Sequence, residues 1–343
     1  MTSHASSVRA NPTRGWTQAV MLRIPLAILF LGALSLYGEE DARQPAKPQE
    51  TAVPAIRHRF LAVDESRKAL HYVDEYDRSK DWSVPGNFRD IQLIGEHRVA
   101  LSDGLGITVV DLNKKSIVAN IHPEGGRGVQ SFRWRPDGRF LIVAGGVLTT
   151  DAAGQVLDKT PLSLGNRICR TTADGGWVFG GGAQVVEVSR DGNVRARHTV
   201  PDLVRPSIYH VAKREDGGYF ASCGYAGCAV SLDTKGTVLQ RFAYPHKFFF
   251  GGLQVLANGN LVVANWAGHG RDDVRDEKKG PQAIEFTLAG EPVWTFRDPE
   301  KLGSIHHVLV LDGLDTAAGH EEVGGRMVPV GTSGTPPAKT EGK

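Results

Sequence analysis

The stretch that decides the fold is FFFGGLQVLANGNLVVANWAGHGRDDVRDEKKGPQAIEFTLAGEPVWTFR, residues 248–297. Within it, GGLQVLA and NLVVANW are short runs rich in Val and Leu. They are joined by Asn258-Gly259, a dipeptide that tolerates the positive φ angles of a tight hairpin turn. AIEFTLA and PVWTFR follow, and their apolar and polar residues alternate as in strands. The stretch therefore predicts a four-stranded antiparallel meander, interrupted only by a polar loop from Gly268 to Gly280.

Shorter copies of this pattern recur along the chain, most of them with a glycine in the first turn and one with Glu96-His97 in that place. These glycines are Gly138, Gly175, Gly217, Gly259 and Gly313. A period of about 40 residues with four strands per period is the signature of a β-propeller blade. Packing blade on blade around an axis buries both faces of each meander, which a single meander cannot do.

The two ends of the repeat region are incomplete copies that complement one another. HRFLAVDES, ALHYVDEY and DWSVPG make three strands without a first strand, whereas SIHHVLVLD near the C-terminus is a first strand alone. Joining them in one blade closes the ring and leaves no sheet face wet. The sequence thus predicts an all-β, six-bladed propeller of four-stranded antiparallel blades, with five complete blades and one shared by the chain ends.

Four regions follow from this division of the chain. Residues 1–38 carry arginines before the apolar run LRIPLAILFLGALSLY, which indicates a cleaved signal peptide or, alternatively, an uncleaved N-terminal anchor. Met21 would give a conventional signal peptide if it were the true start. Residues 39–57 are predicted to be a disordered linker, 58–315 the propeller, and 316–343 a disordered tail. We expect a periplasmic or secreted monomer, in contact with a membrane only if the N-terminal segment is uncleaved.

Composition narrows the class of partner. The chain has 40 Lys+Arg against 38 Asp+Glu, so no polybasic surface argues for nucleic acid.

Cys223 and Cys228 flank GYAG at a predicted second-to-third-strand hairpin, close enough for a disulfide, and export would favour that bond. Cys169 lies mid-strand and is expected to be a buried thiol.

The third and fourth strands of several copies, such as VVEVSRDGNVRARH and AVSLDTKGTVLQRF, resemble the quinoprotein-type repeat. The block from NWAGHG to SIHHVLVLDGLD looks like secreted bacterial propellers of the PQQ-like class whose function is unassigned. The resemblance covers about residues 60–315 and implies the fold. It does not imply one activity, because propellers of this type include quinone dehydrogenases, lyases, scaffold subunits and sugar binders. Quinone enzymes of the class usually have eight blades, so six blades argue against PQQ as a cofactor.

Polar residues occupy matching positions at the start of the first strand in each copy. The first column contains Asp90, Ser131, Ile168, His210, Gly252 and His306. Two residues further along lie Gln92, Arg133, Arg170, Ala212, Gln254 and Val308. Side chains two apart share a face of a strand, so both columns are expected to line the central channel. Ligands of propellers usually enter at one mouth of this channel.

Histidine and carboxylate side chains at this mouth suggest a chemical centre. His210 and His306, with His269 from the long loop, could bind a divalent metal or act as an acid/base cluster with Asp90 or Asp64 opposite. The alternative is that these side chains hydrogen-bond to each other and to ordered water. No fixed metal-binding spacing such as HExxH is present to choose between the two.

Other residues at the mouth could hold a ligand directly. Arg133 and Arg170, together with Arg89 and Arg167, could clamp an anion or instead form salt bridges with Asp90. The remaining predicted ligand-binding residues are Gln254, Asn265, Trp266 and His269. We therefore expect a binding or scaffold module that recognises a glycan or an envelope protein at the mouth. The alternative is a polysaccharide lyase or hydrolase that uses the His/Asp cluster.

Overall fold

The computed structural model describes residues 55–164 and 167–330. The predicted targeting segment and nearly all of the predicted linker lie outside these residues. Within them the chain is almost entirely β-structure, with short 3-10 helices at Arg78–Lys80, Asp273–Arg275 and Glu277–Lys279. None of the helices in this part of the chain has the length and apolar character needed to cross a bilayer.

The described residues form six four-stranded antiparallel sheets, which are the predicted blades. Blades 1 to 3 contain β24 (Ile305–Val310), β1 (Arg59–Asp64), β2 (Ala69–Asp74), β3 (Trp82–Pro85); β4 (Ile91–Gly95), β5 (Arg98–Ser102), β6 (Ile107–Asp111), β7 (Ser116–Ile121); and β8 (Ser131–Trp134), β9 (Phe140–Val143), β10 (Val147–Thr150), β11 (Val156–Thr160). Blades 4 to 6 contain β12 (Arg170–Thr171), β13 (Trp177–Gly181), β14 (Gln184–Val188), β15 (Val194–Thr199); β16 (His210–Lys213), β17 (Tyr219–Ser222), β18 (Cys228–Leu232), β19 (Val238–Ala243); and β20 (Phe249–Val255), β21 (Leu261–Trp266), β22 (Ala283–Phe286), β23 (Pro292–Phe296). The predicted six-bladed propeller is confirmed.

Ring closure occurs where the sequence predicted it. In blade 1 the strand order is β24-β1-β2-β3, so the C-terminal strand is the innermost one. Its antiparallel register pairs Phe60 with Val310 and Val63 with His307. Apolar side chains of blade 1, such as Phe60, pack against Val262 and Phe296 of blade 6 and fill the interface between the first and last blades.

Two glutamines tie neighbouring blades together beside the channel. The side-chain amide of Gln254 accepts from the backbone N–H of Val310 at 2.7 Å and donates to its carbonyl at 3.2 Å. Gln92 makes the same pair of contacts with the backbone of Trp134. Each amide thus imitates one rung of a β-ladder between blades and satisfies polar backbone groups that the blade interface buries.

The C-terminal region is ordered further than predicted. Residues assigned to a disordered tail instead form a hairpin, β25 (His320–Val323) and β26 (Arg326–Pro329), with Gly324 and Gly325 in its turn at positive φ. The segment crosses the propeller face that carries the hairpin turns between first and second strands, because Glu96 and His97 of the β4–β5 turn bond to its backbone. We call this the lower face, and the opposite face, where the first strands begin, the upper face.

Candidate functional site

The centre of the channel holds two buried arginines between two carboxylates. Arg133 and Arg170 both contact Asp90, at 2.5 and 3.0 Å. From below, Glu322 of the C-terminal hairpin reaches Arg133 at 3.2 Å and Arg170 at 2.5 Å, and its side chain is only 2% exposed. Two positive and two negative charges therefore balance within a site that is closed to water, which is the condition for burying ions.

Two histidines complete this layer and remain uncharged. Burial and the charge of Arg170 lower the pKa of His210 to about 4, and burial lowers the pKa of His307 to about 3. The backbone N–H of Leu253 donates to Nδ1 of His210, so the neutral ring carries its proton on Nε2, which faces Glu322 at 3.4 Å. At neutral pH the layer of Asp90, Arg133, Arg170, His210, His307 and Glu322, here called the charge layer, has no net charge.

The carboxylates of the charge layer stay ionised for the same reason. Burial alone would raise the pKa of Asp90, but Arg133 and Arg170 hold it well below its ordinary value. Burial also opposes ionisation of Glu322, yet Arg170 and His210 keep its pKa at about 2. Both groups are permanent anions in the physiological range, and neither is poised to exchange a proton near neutral pH.

A second cluster, the upper-mouth cluster, is built around Glu65 in the β1–β2 loop. Its carboxylate accepts from Arg89 at 2.8 Å, from the Trp266 indole at 2.6 Å and from His306 Nε2 at 2.9 Å. His269 lies 3.2 Å away. Burial would raise the pKa of Glu65, but the His306 hydrogen bond and the charge of Arg89 lower it to about 2. Glu65 is therefore a charged hub that positions the side chains around it.

His306 lies in an aromatic sandwich at the top of the channel. Its ring stacks on Tyr209 with centroids 5.6 Å apart and on Trp266 at 5.3 Å. Because Nε2–H donates to Glu65, Nδ1 carries a lone pair, and this atom has no hydrogen-bond partner among the described residues. The Tyr209 hydroxyl is likewise buried without a partner there. An acceptor and a donor with unused hydrogen-bonding capacity are thus left on two stacked rings.

The guanidinium charges of two arginines act on this sandwich. Burial lowers the pKa of His306, and Arg89 and Arg167 lower it further despite the hydrogen bond that His306 donates to Glu65. Burial also raises the pKa of Tyr209, and the same two guanidiniums oppose that shift. Arg89 precedes blade 2 and Arg167 precedes blade 4, so their positive charges flank the mouth. Arg89 is neutralised by Glu65, whereas Arg167 forms no ion pair within residues 55–164 and 167–330.

The predicted histidine cluster is divided between the two layers. His210 belongs to the charge layer, and its neighbouring imidazole is His307, with ring centroids 5.4 Å apart. Gly252, which lies between His210 and His306 in the first column, leaves no open space there, because the His307 ring lies 2.3 Å from the position of an added Cβ. His306 and His269 both belong to the upper-mouth cluster. No three His, Cys, Asp or Glu side chains in the described part of the chain are arranged to hold a metal ion.

Several residues predicted to bind ligand use their side chains in contacts within the propeller itself. Gln254 uses its amide on the blade seam described above. Asn265 accepts from the N–H groups of Phe248 and Phe249 and donates to two carbonyls of the long loop, which leaves none of its amide groups unused. Trp266 is 3% exposed and stacks on His306, so it cannot serve as an open platform for a sugar. Of this set only His269, with a 78% exposed side chain, faces solvent.

The predicted disulfide is absent. Cys223 and Cys228 are both thiols, and they face one another across a turn in which the Cys223 N–H donates to the Cys228 carbonyl at 2.8 Å. A hydrogen bond from Cys223 and the nearby Arg241 guanidinium, 3.5 Å from the sulfur, lower the pKa of Cys228 to about 7. Cys169 is buried as expected, and burial raises its pKa to about 12.

Three residues of the site were not anticipated. His307 and Tyr209 each lie next to a predicted histidine, but alternation along a strand assigned them to the opposite face. Strand β20 pairs irregularly with β21 between Phe250 and Leu253, and Gly252 there admits the His307 ring. Glu322 was missed because it belongs to the hairpin that was predicted to be disordered. Its sequence signal was the Gly324-Gly325 turn between two short strand-like runs.

Comparison with known proteins supports the fold. No protein-family model and no curated protein matches the chain. A protein of unknown function from Bacteroides caccae matches with a TM-score of 0.60 and 20% identity, over 74% of this chain and 99% of that chain. A chain of a nidogen/laminin complex gives 0.51 and 12%, over 74% and 97%. Virginiamycin B lyase from Staphylococcus aureus gives 0.46 and 10%, over 71% and 85%. At such identities the likeness concerns the propeller fold alone.

Proposed function

We propose that this chain is an exported binding module that recognises an anionic group, carried by a glycan or by an envelope protein, at the upper mouth. The propeller fold supports a binding or scaffold role. Export and a place in the periplasm or outside the cell rest on the predicted targeting segment, which lies outside the described residues. An acidic glycan suits the mouth best, because its carboxylate and hydroxyl groups match the chemistry found there.

The proposal rests on one observation: Arg167 forms no ion pair within the described part of the chain, and its charge acts on the buried His306 and Tyr209, each of which has a polar atom without a hydrogen-bond partner there. A guanidinium pairs bidentately with a carboxylate or sulfate. The unsatisfied Nδ1 of His306 accepts a hydrogen bond, and the Tyr209 hydroxyl donates one. A uronic acid residue offers both a carboxylate and hydroxyls, so one sugar could satisfy all three side chains once its edge enters the channel.

Binding is favoured over catalysis by the proton affinities of the channel. A general acid or base works best when its pKa lies near the operating pH. Here the carboxylates of Glu65 and Glu322 have pKa values of about 2, and the imidazoles of His210 and His307 have values of about 4 and 3. Each shift moves the pKa of the group further below neutral pH, so the group stays in one protonation state.

One observation favours the alternative of a polysaccharide lyase. Glu65 orients His306 so that a neutral imidazole presents a lone pair on Nδ1, and Arg167 could stabilise the carboxylate of a uronic acid. Nδ1 would take the proton α to the carboxylate, the C4–O bond would break, and a C4–C5 double bond would form. The departing oxygen would receive a proton from the Tyr209 hydroxyl. Release of an unsaturated product that absorbs in the ultraviolet would establish this reaction.

The test is calorimetric titration of the full chain with trigalacturonate, with ultraviolet absorbance followed in the same samples. Arg167→Gln is expected to weaken binding at least tenfold. The matched control is Arg197→Gln, because Arg197 is exposed on β15, the outermost strand of the same blade. Equal affinity of the Arg167 and Arg197 variants would refute the mouth as the site. A rise in absorbance that disappears in His306→Ala would replace the binding module with the lyase.

A further inference from the structure

A cavity of about 530 Å³ opens on the lower face, where the C-terminal hairpin meets blades 3, 4 and 5. Its floor reaches the charge layer through Arg133 and Glu322, and its walls include Trp134, Thr171 and Thr172. Glu322 Oε1 is buried there without a hydrogen-bond partner in the described part of the chain. The cavity is separated from the upper mouth by the charge layer, so it is a different site from the one discussed above.

The charges that line this cavity cancel. It contains four cationic and four anionic side chains, Arg133, Arg135, Lys213, Arg214, Asp174, Glu215, Glu321 and Glu322. Most of them already have an internal partner. Lys213 lies 2.7 Å from Glu187, Arg214 lies 2.5 Å from Asp216, and Asp174 pairs with Arg195. A charged ligand would have to compete with these internal partners for a counter-charge. The lining therefore favours a ligand without net charge.

The cavity continues into a second one of about 450 Å³ that runs outward between blades 3 and 4. The two share Arg135, Ala173 and Asp174, and the outer one is also lined by Trp177. Blade 4 is open here because its first strand, β12, has only two residues. The combined space is a groove rather than a single pocket, and it suits an extended ligand of several linked units.

We propose that this groove binds a neutral oligosaccharide. Paired carboxylates and guanidiniums keep unused lone pairs and N–H groups in fixed directions, and sugar hydroxyls both donate and accept. Thr171 adds a hydroxyl, and the indole of Trp134, which is only partly buried, provides apolar surface for the carbon face of a sugar ring. Such a mixture of aromatic surface and few oriented polar groups is typical of ligand pockets. The proposal does not depend on the proposed function of the upper mouth.

The test uses saturation-transfer NMR and calorimetry on the full chain with maltotriose, cellotriose, chitotriose and mannotriose. Ala173→Trp fills the junction of the two cavities from an exposed turn, so the fold should tolerate it. Ala153→Trp is the matched control, an exposed alanine in the β10–β11 turn of the lower face that lines neither cavity. Thr171→Val removes only a hydroxyl and should weaken binding about two- to tenfold.

The expected result is that at least one of these trisaccharides binds, that Ala173→Trp weakens it at least tenfold, and that Ala153→Trp and Arg167→Gln leave it within twofold. Binding that survives Ala173→Trp and Thr171→Val unchanged would overturn the proposal. Binding lost in Arg167→Gln would move the ligand to the upper mouth, and binding of none of the four would exclude a neutral saccharide. Trigalacturonate binding tests the upper mouth separately, so failure of one proposal leaves the other standing.

Discussion

Replacing Glu322 by Gln tests whether the C-terminal hairpin is an integral part of the propeller. The substitution keeps the shape of the side chain but removes one of the two negative charges that face Arg133 and Arg170. Asp90 alone would then balance two buried guanidiniums. Removing one partner of a buried ion pair costs about 3–5 kcal/mol, since the remaining charge stays desolvated.

Urea unfolding followed by tryptophan fluorescence measures this cost. In a thermal melt, each kcal/mol of unfolding free energy corresponds to about 2–4 °C of melting temperature for a domain somewhat smaller than this one. A loss of about 3–5 kcal/mol therefore predicts a decrease in melting temperature of roughly 6–20 °C. If the hairpin detaches first, water reaches the arginines and the loss is limited to the free energy that docks the hairpin. The observed value is therefore expected at the lower end of the range.

The matched control is Glu321→Gln, one residue away on the same hairpin and partly exposed. Its free energy of unfolding should stay within about 0.5 kcal/mol of the wild type. Adding Arg133→Met to Glu322→Gln restores the charge balance between Asp90 and Arg170, so the double variant should lose less than the sum of the single losses. Identical stability of the Glu322 and Glu321 variants would refute the reasoning.

Three further predictions concern the ring and its interior. Cutting the chain after Lys301 removes β24 and the hairpin, so the propeller should lose its single cooperative melting transition; an unchanged melting temperature would contradict ring closure. Gly252→Ala places a Cβ 2.3 Å from the His307 ring and should lower the free energy of unfolding by about 1–3 kcal/mol, read from the urea midpoint; no change would show that the ring moves aside. Stability should fall as pH drops below about 6.5, because His210 and His307, with folded pKa values of about 4 and 3, take up protons mainly in the unfolded state; a flat profile of urea midpoints from pH 7 to 4.5 would contradict this.

The architecture was predictable because it depends on local patterns. Turn glycines and strand alternation report on neighbouring residues and led to six blades, and the complementary incomplete copies at the two chain ends identified the correct closing strand. The hairpin β25–β26 was missed although its Gly324-Gly325 turn is visible in the sequence. An isolated two-stranded hairpin is marginally stable, so its order depends on docking against the lower face, which no local pattern encodes.

For the site, the sequence predicted which strand positions face the channel but not which side chains meet there. Strand alternation correctly directed Asp90, Arg133, Arg170 and His210 toward the axis, where they are buried. Which of them meet was not predictable, because contacts across a channel depend on its radius and on the residue that enters from below. Glu322 engages both arginines. The two arginines, predicted as candidates for clamping an anionic ligand, are therefore parts of the charge layer, which has no net charge.

The pairing of β1 with β24 has a consequence for biosynthesis. Strand β1 is the first strand of the described residues to leave the ribosome, yet its partner β24 is separated from it by nearly the whole described chain. Until Ile305–Val310 emerges, the inner edge of β1 has no neighbour and the apolar side chains Phe60 and Ala62 lack the strand that covers them. Blades 2 to 6 can assemble in order during translation, whereas the first blade must wait for the last. An unpaired apolar edge of this kind is a site where chains associate wrongly, so the nascent propeller is most vulnerable just before synthesis ends.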